Sequence, residues 1–213
     1  MFRSCRLPPW AIALVLAVVL GQARLAEAGV ITDPTGDFLP TYTGPKIGAL
    51  DVISAGGTFD GTTYHLFAML AGPAVSAPAG SSFVWGINKG GAPEVFVTGT
   101  PSVGAGVRFN AVGLIRPDGS LGGLATSGTV SGSNIDIFIP LSALPSTGFA
   151  PQDYTWNLWP RSGGGNALIS DFAPDASNER FTLIPEPATL AVFGGIALAG
   201  ALGYRRRKAT ASV

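Results

Sequence analysis

Short apolar runs separated by Gly, Pro, Asp and Asn dominate residues 29–184. In residues 63–70, apolar and aromatic side chains fall alternately on the two sides of an extended chain, which is the period of a β-strand. Asp60-Gly61 separates this run from residues 51–59, and such a dipeptide between two apolar runs indicates a tight hairpin. The pattern therefore predicts two paired antiparallel strands.

The same pattern predicts nine or ten short strands with turns between them, and one helical turn near residues 141–144, after Pro140. Short strands at this spacing are typical of an all-β sandwich or jelly roll rather than of β-α-β units. We therefore expect one β-sandwich domain over residues 29–184. The predicted strands are residues 51–59, 63–70, 82–88, 94–98, 107–115, 126–131, 134–139, 154–159, 167–172 and 181–184.

The N-terminus has the pattern of a secretory signal peptide over residues 1–28, with cleavage by a signal peptidase after Ala28. Two arginines precede an apolar run over residues 10–20, and Ala26-Glu27-Ala28 supplies small residues at the cleavage positions. The alternative is an uncleaved anchor, but eleven helical residues rise only ~16 Å against a hydrocarbon core of ~30 Å. Cleavage would remove the only cysteine, Cys5, and with it any disulfide or thiolate chemistry.

The C-terminus contains three ordered parts: Pro185-Glu186-Pro187, the uncharged run 188–203, and the basic cluster Arg205-Arg206-Arg207-Lys208 before a tail of residues 209–213. As a helix, the sixteen uncharged residues are ~24 Å long, which predicts a short transmembrane helix. The cations would keep its end in the cytoplasm. An ordinary tail anchor is the alternative interpretation.

This tripartite arrangement over residues 185–208 resembles the PEP-CTERM protein-sorting domain. The resemblance implies a Gram-negative bacterium that makes exopolysaccharide, and recognition by an exosortase, a membrane-embedded protease-transpeptidase that cuts near the Pro-Glu-Pro motif. It also implies export, an inner-membrane-anchored intermediate, and then a place at the cell surface or in the extracellular matrix. The residues that carry the motif are Pro185, Glu186, Pro187, Arg205, Arg206 and Arg207.

The body of the chain, residues 29–184, resembles the β-sandwiches similar to family-nine carbohydrate-binding modules and to DOMON domains. This resemblance implies a β-sandwich and raises polysaccharide as a ligand. The pieces that carry it are residues 33–37, Asp51, residues 83–88, residues 137–144 and residues 171–175.

The charge and the histidine content of residues 29–184 argue against nucleic-acid binding and against catalysis. Residues 29–184 carry six Lys and Arg against eleven Asp and Glu, a net charge of 6 − 11 = −5, which argues against nucleic-acid binding. The single histidine, His65, lies inside an apolar strand, and no nucleophile motif is near it. We therefore expect no enzymatic activity, and a secreted hydrolase is the less favoured alternative.

Two acidic groups are candidate calcium ligands: Asp33, Asp37 and Asp51, or Asp171, Asp175 and Asn178. Asp next to Pro and Gly also starts turns, and that interpretation is preferred, so the sequence predicts neither a metal site nor a cofactor. For sugar binding, Trp85, Tyr154, Trp156 and Trp159 offer flat rings, with core packing as the alternative.

Trp159, beside Arg161 and Asn157, is the preferred sugar-facing residue, with Trp85 as a second candidate. Together these patterns predict an exported, non-enzymatic structural or adhesive protein of the cell surface or matrix, with polysaccharide binding as the alternative function.

Overall fold

Two β-sheets, antiparallel except for the parallel pair of β13 with β2, contain most of the residues that the computed structural model describes, which are 29–97 and 105–184. In the first sheet, the strand order is β1-β2-β3-β10-β9, with β13 also pairing with β2. The second sheet has the order β12-β11-β4-β7-β8, and β5 and β6 form a separate two-stranded antiparallel sheet. The strands are β1 (Val30–Thr32), β2 (Val52–Phe59), β3 (Thr63–Leu70), β4 (Ser82–Asn88), β5 (Glu94–Val95), β6 (Val107–Arg108), β7 (Ala111–Ile115), β8 (Leu121–Gly123), β9 (Ser127–Ser131), β10 (Asn134–Pro140), β11 (Thr155–Arg161), β12 (Glu179–Arg180) and β13 (Thr182–Leu183).

The all-β prediction is confirmed, since the described residues contain no α-helix. The predicted helical turn after Pro140 is a 3-10 turn, Leu141–Ala143. Four further 3-10 turns were not predicted from the sequence: Gly48–Leu50, Ala74–Ser76, Pro151–Asp153 and Asn166–Leu168. Among the described residues, no helix is long and apolar enough to cross a bilayer. The predicted signal peptide, transmembrane run and Pro-Glu-Pro motif lie outside the described residues.

The β2–β3 hairpin forms where the Asp60-Gly61 signal predicts it. Asp60 Oδ1 accepts hydrogen bonds from the backbone N–H groups of Thr62 and Thr63, both at 2.8 Å. Gly61 takes a φ of 96°, a left-handed conformation that glycine adopts without a steric penalty. Phe59 then pairs with Tyr64 as the first cross-strand pair of the two strands.

The core lies between the two sheets, in a β-sandwich arrangement. Gly113 of β7 shows how closely they approach, because a Cβ atom added there would lie 2.7 Å from Ile139 and 2.9 Å from Ile137 of β10. On the same face of the second sheet, Trp85 pairs across to Leu158, and both are fully buried. Burial of large apolar side chains from both sheets is the main contribution to stability here.

Two predicted strands are broken in the structure, and the predicted strand 94–98 is shortened to Glu94–Val95 among its described residues. The run 107–115 is interrupted between β6 and β7, because the Asn110 side chain accepts a hydrogen bond from the Lys89 N–H and donates to Gly90 O. The run 167–172 is a 3-10 turn followed by a segment with only isolated bridges to β11, at Ile169 and Ala173. The short strands β1, β8 and β12 were not predicted, since two or three residues are too few to show a period.

Candidate functional site

Five aspartates from three separate parts of the chain converge at one edge of the sandwich. Asp33 and Asp37 follow β1, Asp51 directly precedes β2, and Asp171 and Asp175 follow β11. Their carboxylates form two groups that share Asp37, and within each group one oxygen from each residue lies within 4.8 Å of the others. The groups are Asp33, Asp37 and Asp175, and Asp37, Asp51 and Asp171. We call these five residues the acidic cluster.

A glycine turn places the first two members of the acidic cluster. Gly36, between Asp33 and Asp37, has a φ of 84°, so the chain reverses there without strain. Its backbone N–H donates a hydrogen bond of 2.9 Å to Asp51 Oδ2. The Asp33 N–H donates to the carbonyl oxygen of Ile53 at 3.0 Å. These two bonds hold the turn against the start of β2.

The Asp171 side chain connects the two sheets. Its Oδ2 accepts a hydrogen bond from the Val52 N–H at 2.9 Å, and its Oδ1 accepts one from the Phe172 N–H at 2.8 Å. The chain around it runs beside β11, because the Ala173 N–H donates to Leu158 O at 2.8 Å. Asp171 therefore reaches from the edge of the second sheet to β2 of the first.

The five members of the acidic cluster differ in solvent exposure. Asp171 is fully buried and Asp51 is 3% exposed, whereas Asp33 and Asp37 are half-buried and Asp175 is exposed. Three of the carboxylate oxygens have no contact with water and no hydrogen-bond partner among the described residues: Asp33 Oδ2, Asp37 Oδ1 and Asp51 Oδ1. A buried polar atom without a partner has lost its hydration with no compensating interaction.

Burial and mutual repulsion make these carboxyl groups weak acids. Burial, followed by the charge of Asp33, raises the pKa of Asp171 to about 9. The pKa of Asp33 rises to about 7 through burial and the charges of Asp37, Asp175 and Asp51. Burial also raises the pKa of Asp51 and of Asp175. Packing five carboxylates together is therefore unfavourable when all are ionised.

No lysine, arginine or histidine pairs with the acidic cluster among the described residues. The three ion pairs there are His65–Asp136, Arg108–Glu94 and Arg180–Asp153, each at 3.4 Å, and none includes a cluster member. Oxygen ligands alone, without Cys or His, are the ligand type that hard cations such as Ca²⁺ take.

From the sequence, the two sets of candidate calcium ligands were alternatives. The structure brings five of their six residues together in the acidic cluster. Asn178 is the exception, because its Oδ1 accepts a hydrogen bond from the Arg108 N–H and its Nδ2 donates to Arg108 O and Thr155 Oγ1. The Asn178 amide therefore hydrogen-bonds to the backbone of β6 and is not part of the acidic cluster.

The sugar-facing assignment of Trp159 and Trp85 is corrected by their burial. Trp85 is fully buried and Trp159 is 4% exposed. Trp159 does lie on the opposite face of β11 from Trp156, as alternation predicts, but Phe109 and Phe172 cover it, with ring centroids at 4.8 and 6.0 Å. A ring enclosed in this way cannot stack on a sugar.

Arg161 does not offer a free guanidinium beside these rings either. Its Nε donates to Gly163 O and its Nη2 to Gly165 O, so the side chain closes its own loop.

His65 lies on the outer face of the first sheet. Its ring stacks on Phe138 with centroids 4.2 Å apart, and its Nε2 is 3.4 Å from Asp136 Oδ2. The other oxygen of Asp136 accepts hydrogen bonds from the N–H and hydroxyl of Thr129. A shallow depression of about 280 Å³ lies here, lined mainly by apolar atoms. Phe138 lies directly opposite His65, and Asp136 is two residues away on the same strand. The sequence alone does not reveal this carboxylate partner, because it depends on the register of the two strands.

No protein-family model, curated protein or solved structure matches the chain. The site is therefore interpreted from its own geometry.

Proposed function

We propose that this chain is an exported protein of a Gram-negative bacterium that an exosortase sorts to the cell surface or extracellular matrix. The feature that carries the proposal is the order of three sequence elements directly after the β-domain: Pro185-Glu186-Pro187, the apolar run 188–203, and the cations from Arg205 to Lys208. The signal-peptide pattern of residues 1–28 supports the same route.

The geometry at the end of the β-domain is compatible with this processing. Leu183 and Ile184, the last described residues, are 49% and 44% exposed, and they immediately precede the Pro-Glu-Pro motif. The Ile184 N–H donates to Phe59 O at 2.9 Å, so the ladder continues to the final described residue. A membrane protease that acts beyond Ile184 would leave every described strand intact.

Both terminal strands lie along the same edge of β2. β1 pairs with residues 54–56 and β13 with residues 58 and 59, and the Gly29 N–H donates to Thr182 Oγ1 at 2.6 Å. Removal of residues on either side of the β-domain would therefore leave two ends that stabilise each other.

For the β-domain itself we propose a structural or adhesive role without catalysis. Polysaccharide binding through Trp85 and Trp159 is not proposed, because both rings are buried.

The sorting proposal is tested by replacing Arg205, Arg206, Arg207 and Lys208 with Gln in the native host. The intact mass of protein recovered from the surface shows which ends have been removed. The unaltered chain should lose residues 1–28 and the segment beyond the motif, whereas the neutralised chain should keep its C-terminus, because the charge bias that fixes topology is gone. Lys46→Gln, an exposed cation of the β-domain, is the matched control. Identical processing of the neutralised chain would reject the proposal.

A further inference from the structure

We propose that the acidic cluster binds calcium, with Asp37 as the ligand shared by its two groups of carboxylates. The inference concerns the β-domain alone and does not depend on how the chain is sorted.

The first support is distance. Calcium binds oxygen at about 2.3–2.6 Å, so two oxygens on one ion are separated by no more than about 5 Å. In each of the two groups, all carboxylate oxygens offered as ligands lie within 4.8 Å of one another. Turn chemistry explains one aspartate beside a glycine, but it does not explain why Asp51 and Asp171 approach that turn from two other parts of the chain.

The second support is independent of the number of acids. Asp51 is 3% exposed, and its Oδ2 already accepts the hydrogen bond from Gly36, whereas its Oδ1 is buried and accepts none from the described residues. Asp51 is a member of the group with Asp37 and Asp171. A carboxylate oxygen held in this way is stabilised by a cation placed between the three side chains.

The ligand chemistry selects the cation. Five carboxylates with no sulfur or imidazole among them suit a hard cation and not zinc. Calcium takes 6–8 oxygens in a flexible arrangement, while Mg²⁺ needs a near-ideal octahedron and keeps several waters. Carboxylates on a turn, a strand start and an irregular segment give the irregular arrangement that calcium tolerates.

The position of the cluster predicts what the ion does. Asp51 begins β2 of the first sheet, and Asp171 lies in the segment bridged to β11 of the second. An ion between them would cross-link the two sheets at this edge. Exposed Asp175 and half-buried Asp33 and Asp37 lie on the solvent side, which gives the ion its entry route.

The experiment uses the full-length chain in detergent, freed of metal with a chelator. Titration with CaCl₂ in a calorimeter should show saturable binding of one or two ions per chain, with a dissociation constant of about 1 mM or tighter. Thermal unfolding should move upwards with calcium concentration, because the ion binds only the folded state. MgCl₂ at equal concentration should give a shift less than half as large.

Asp37→Ala is the decisive variant, because Asp37 belongs to both groups and its buried Oδ1 accepts no hydrogen bond from the described residues. Without calcium it should unfold at the temperature of the unaltered chain or higher, since repulsion within the cluster falls. With calcium it should lose the upward shift. Asp153→Ala, an exposed acid outside the cluster, should keep the whole response.

Absence of saturable calcium binding in the unaltered chain would overturn the inference, as would an undiminished calcium shift in Asp37→Ala or an equal shift with magnesium. Normal C-terminal processing of a chain that fails these tests would leave the sorting proposal standing, so the two failures are distinguishable.

Discussion

Asp171 accepts a hydrogen bond from the backbone N–H of Val52, a residue 119 positions earlier, at 2.9 Å inside the protein. The contact joins the irregular segment beside β11 to the first residue of β2. It also fixes the inner wall of the acidic cluster, because the neighbouring Asp51 and the Gly36 turn are attached to the same end of β2.

Replacing Asp171 with Ala should destabilise the β-domain by about 3 kcal/mol, because the N–H groups of Val52 and Phe172 would be left buried without acceptors. Urea unfolding is best measured at about pH 4.5. The Asp171 carboxyl is neutral there in the folded state, so the substitution removes no buried charge. Asp153→Ala, which removes only a surface ion pair with Arg180, should change stability by less than about 1 kcal/mol. Equal stabilities of the two variants would contradict this assignment.

The free energy of unfolding of the metal-free protein should fall as the pH rises from about 4 to about 9. The folded state raises the pKa of Asp33 to about 7 and of Asp171 to about 9, so it binds more protons than the unfolded chain in this window. Their stabilising contribution is complete below the unfolded pKa and is lost as the pH rises through the folded values. The expected slope is about 1.4 kcal/mol per pH unit for each proton of difference.

Urea titrations at several pH values in the presence of a chelator check this slope. Asp33→Asn should flatten the curve below about pH 7 and reduce the fall at higher pH without abolishing it, because burial alone still raises the pKa of Asp171. A stability that rises between pH 5 and pH 8 in the unaltered, metal-free chain would show that these carboxyl groups are not the buried acids described above.

Trp159→Ala should destabilise the protein by about 3–5 kcal/mol, as expected for removal of a buried aromatic ring. The ring is 4% exposed and packs on Phe109 and Phe172. Chemical unfolding measures the change, with Phe96→Ala as the control because Phe96 is 50% exposed. A loss of stability no larger than that of the control would indicate that Trp159 is exposed, and sugar binding by its ring would again be a hypothesis.

Gly86→Ala should cost about 1–3 kcal/mol through overpacking. A Cβ atom at Gly86 would lie 2.6 Å from the Trp159 ring and 2.8 Å from Phe109, so both side chains must move. Gly164→Ala is the matched control, because no atom lies within 4 Å of its added Cβ, and the change should be within about 0.5 kcal/mol. Thermal unfolding of the two variants distinguishes packing from a general loss of glycine flexibility.

Local signals account for most of the strands but not for the site. β3 and β4 begin and end where the apolar runs predict, since alternation and flanking turn residues are properties of a few neighbouring residues. The segment 167–172 is also rich in apolar residues, yet it bridges β11 only at isolated positions, and its Asp171 side chain accepts a hydrogen bond from Val52. This hydrogen bond joins residues more than a hundred positions apart, so no local sequence pattern predicts it.

The all-β class, the hairpin at Asp60-Gly61 and the acidic residues beside turns could all be predicted from the sequence, because they depend on side-chain period and local backbone preference. The burial of both faces of β11 and the meeting of three acidic segments became apparent only in the folded protein. Burial and carboxylate repulsion depend on distances between atoms that the fold brings together, and separation along the chain does not reveal those distances.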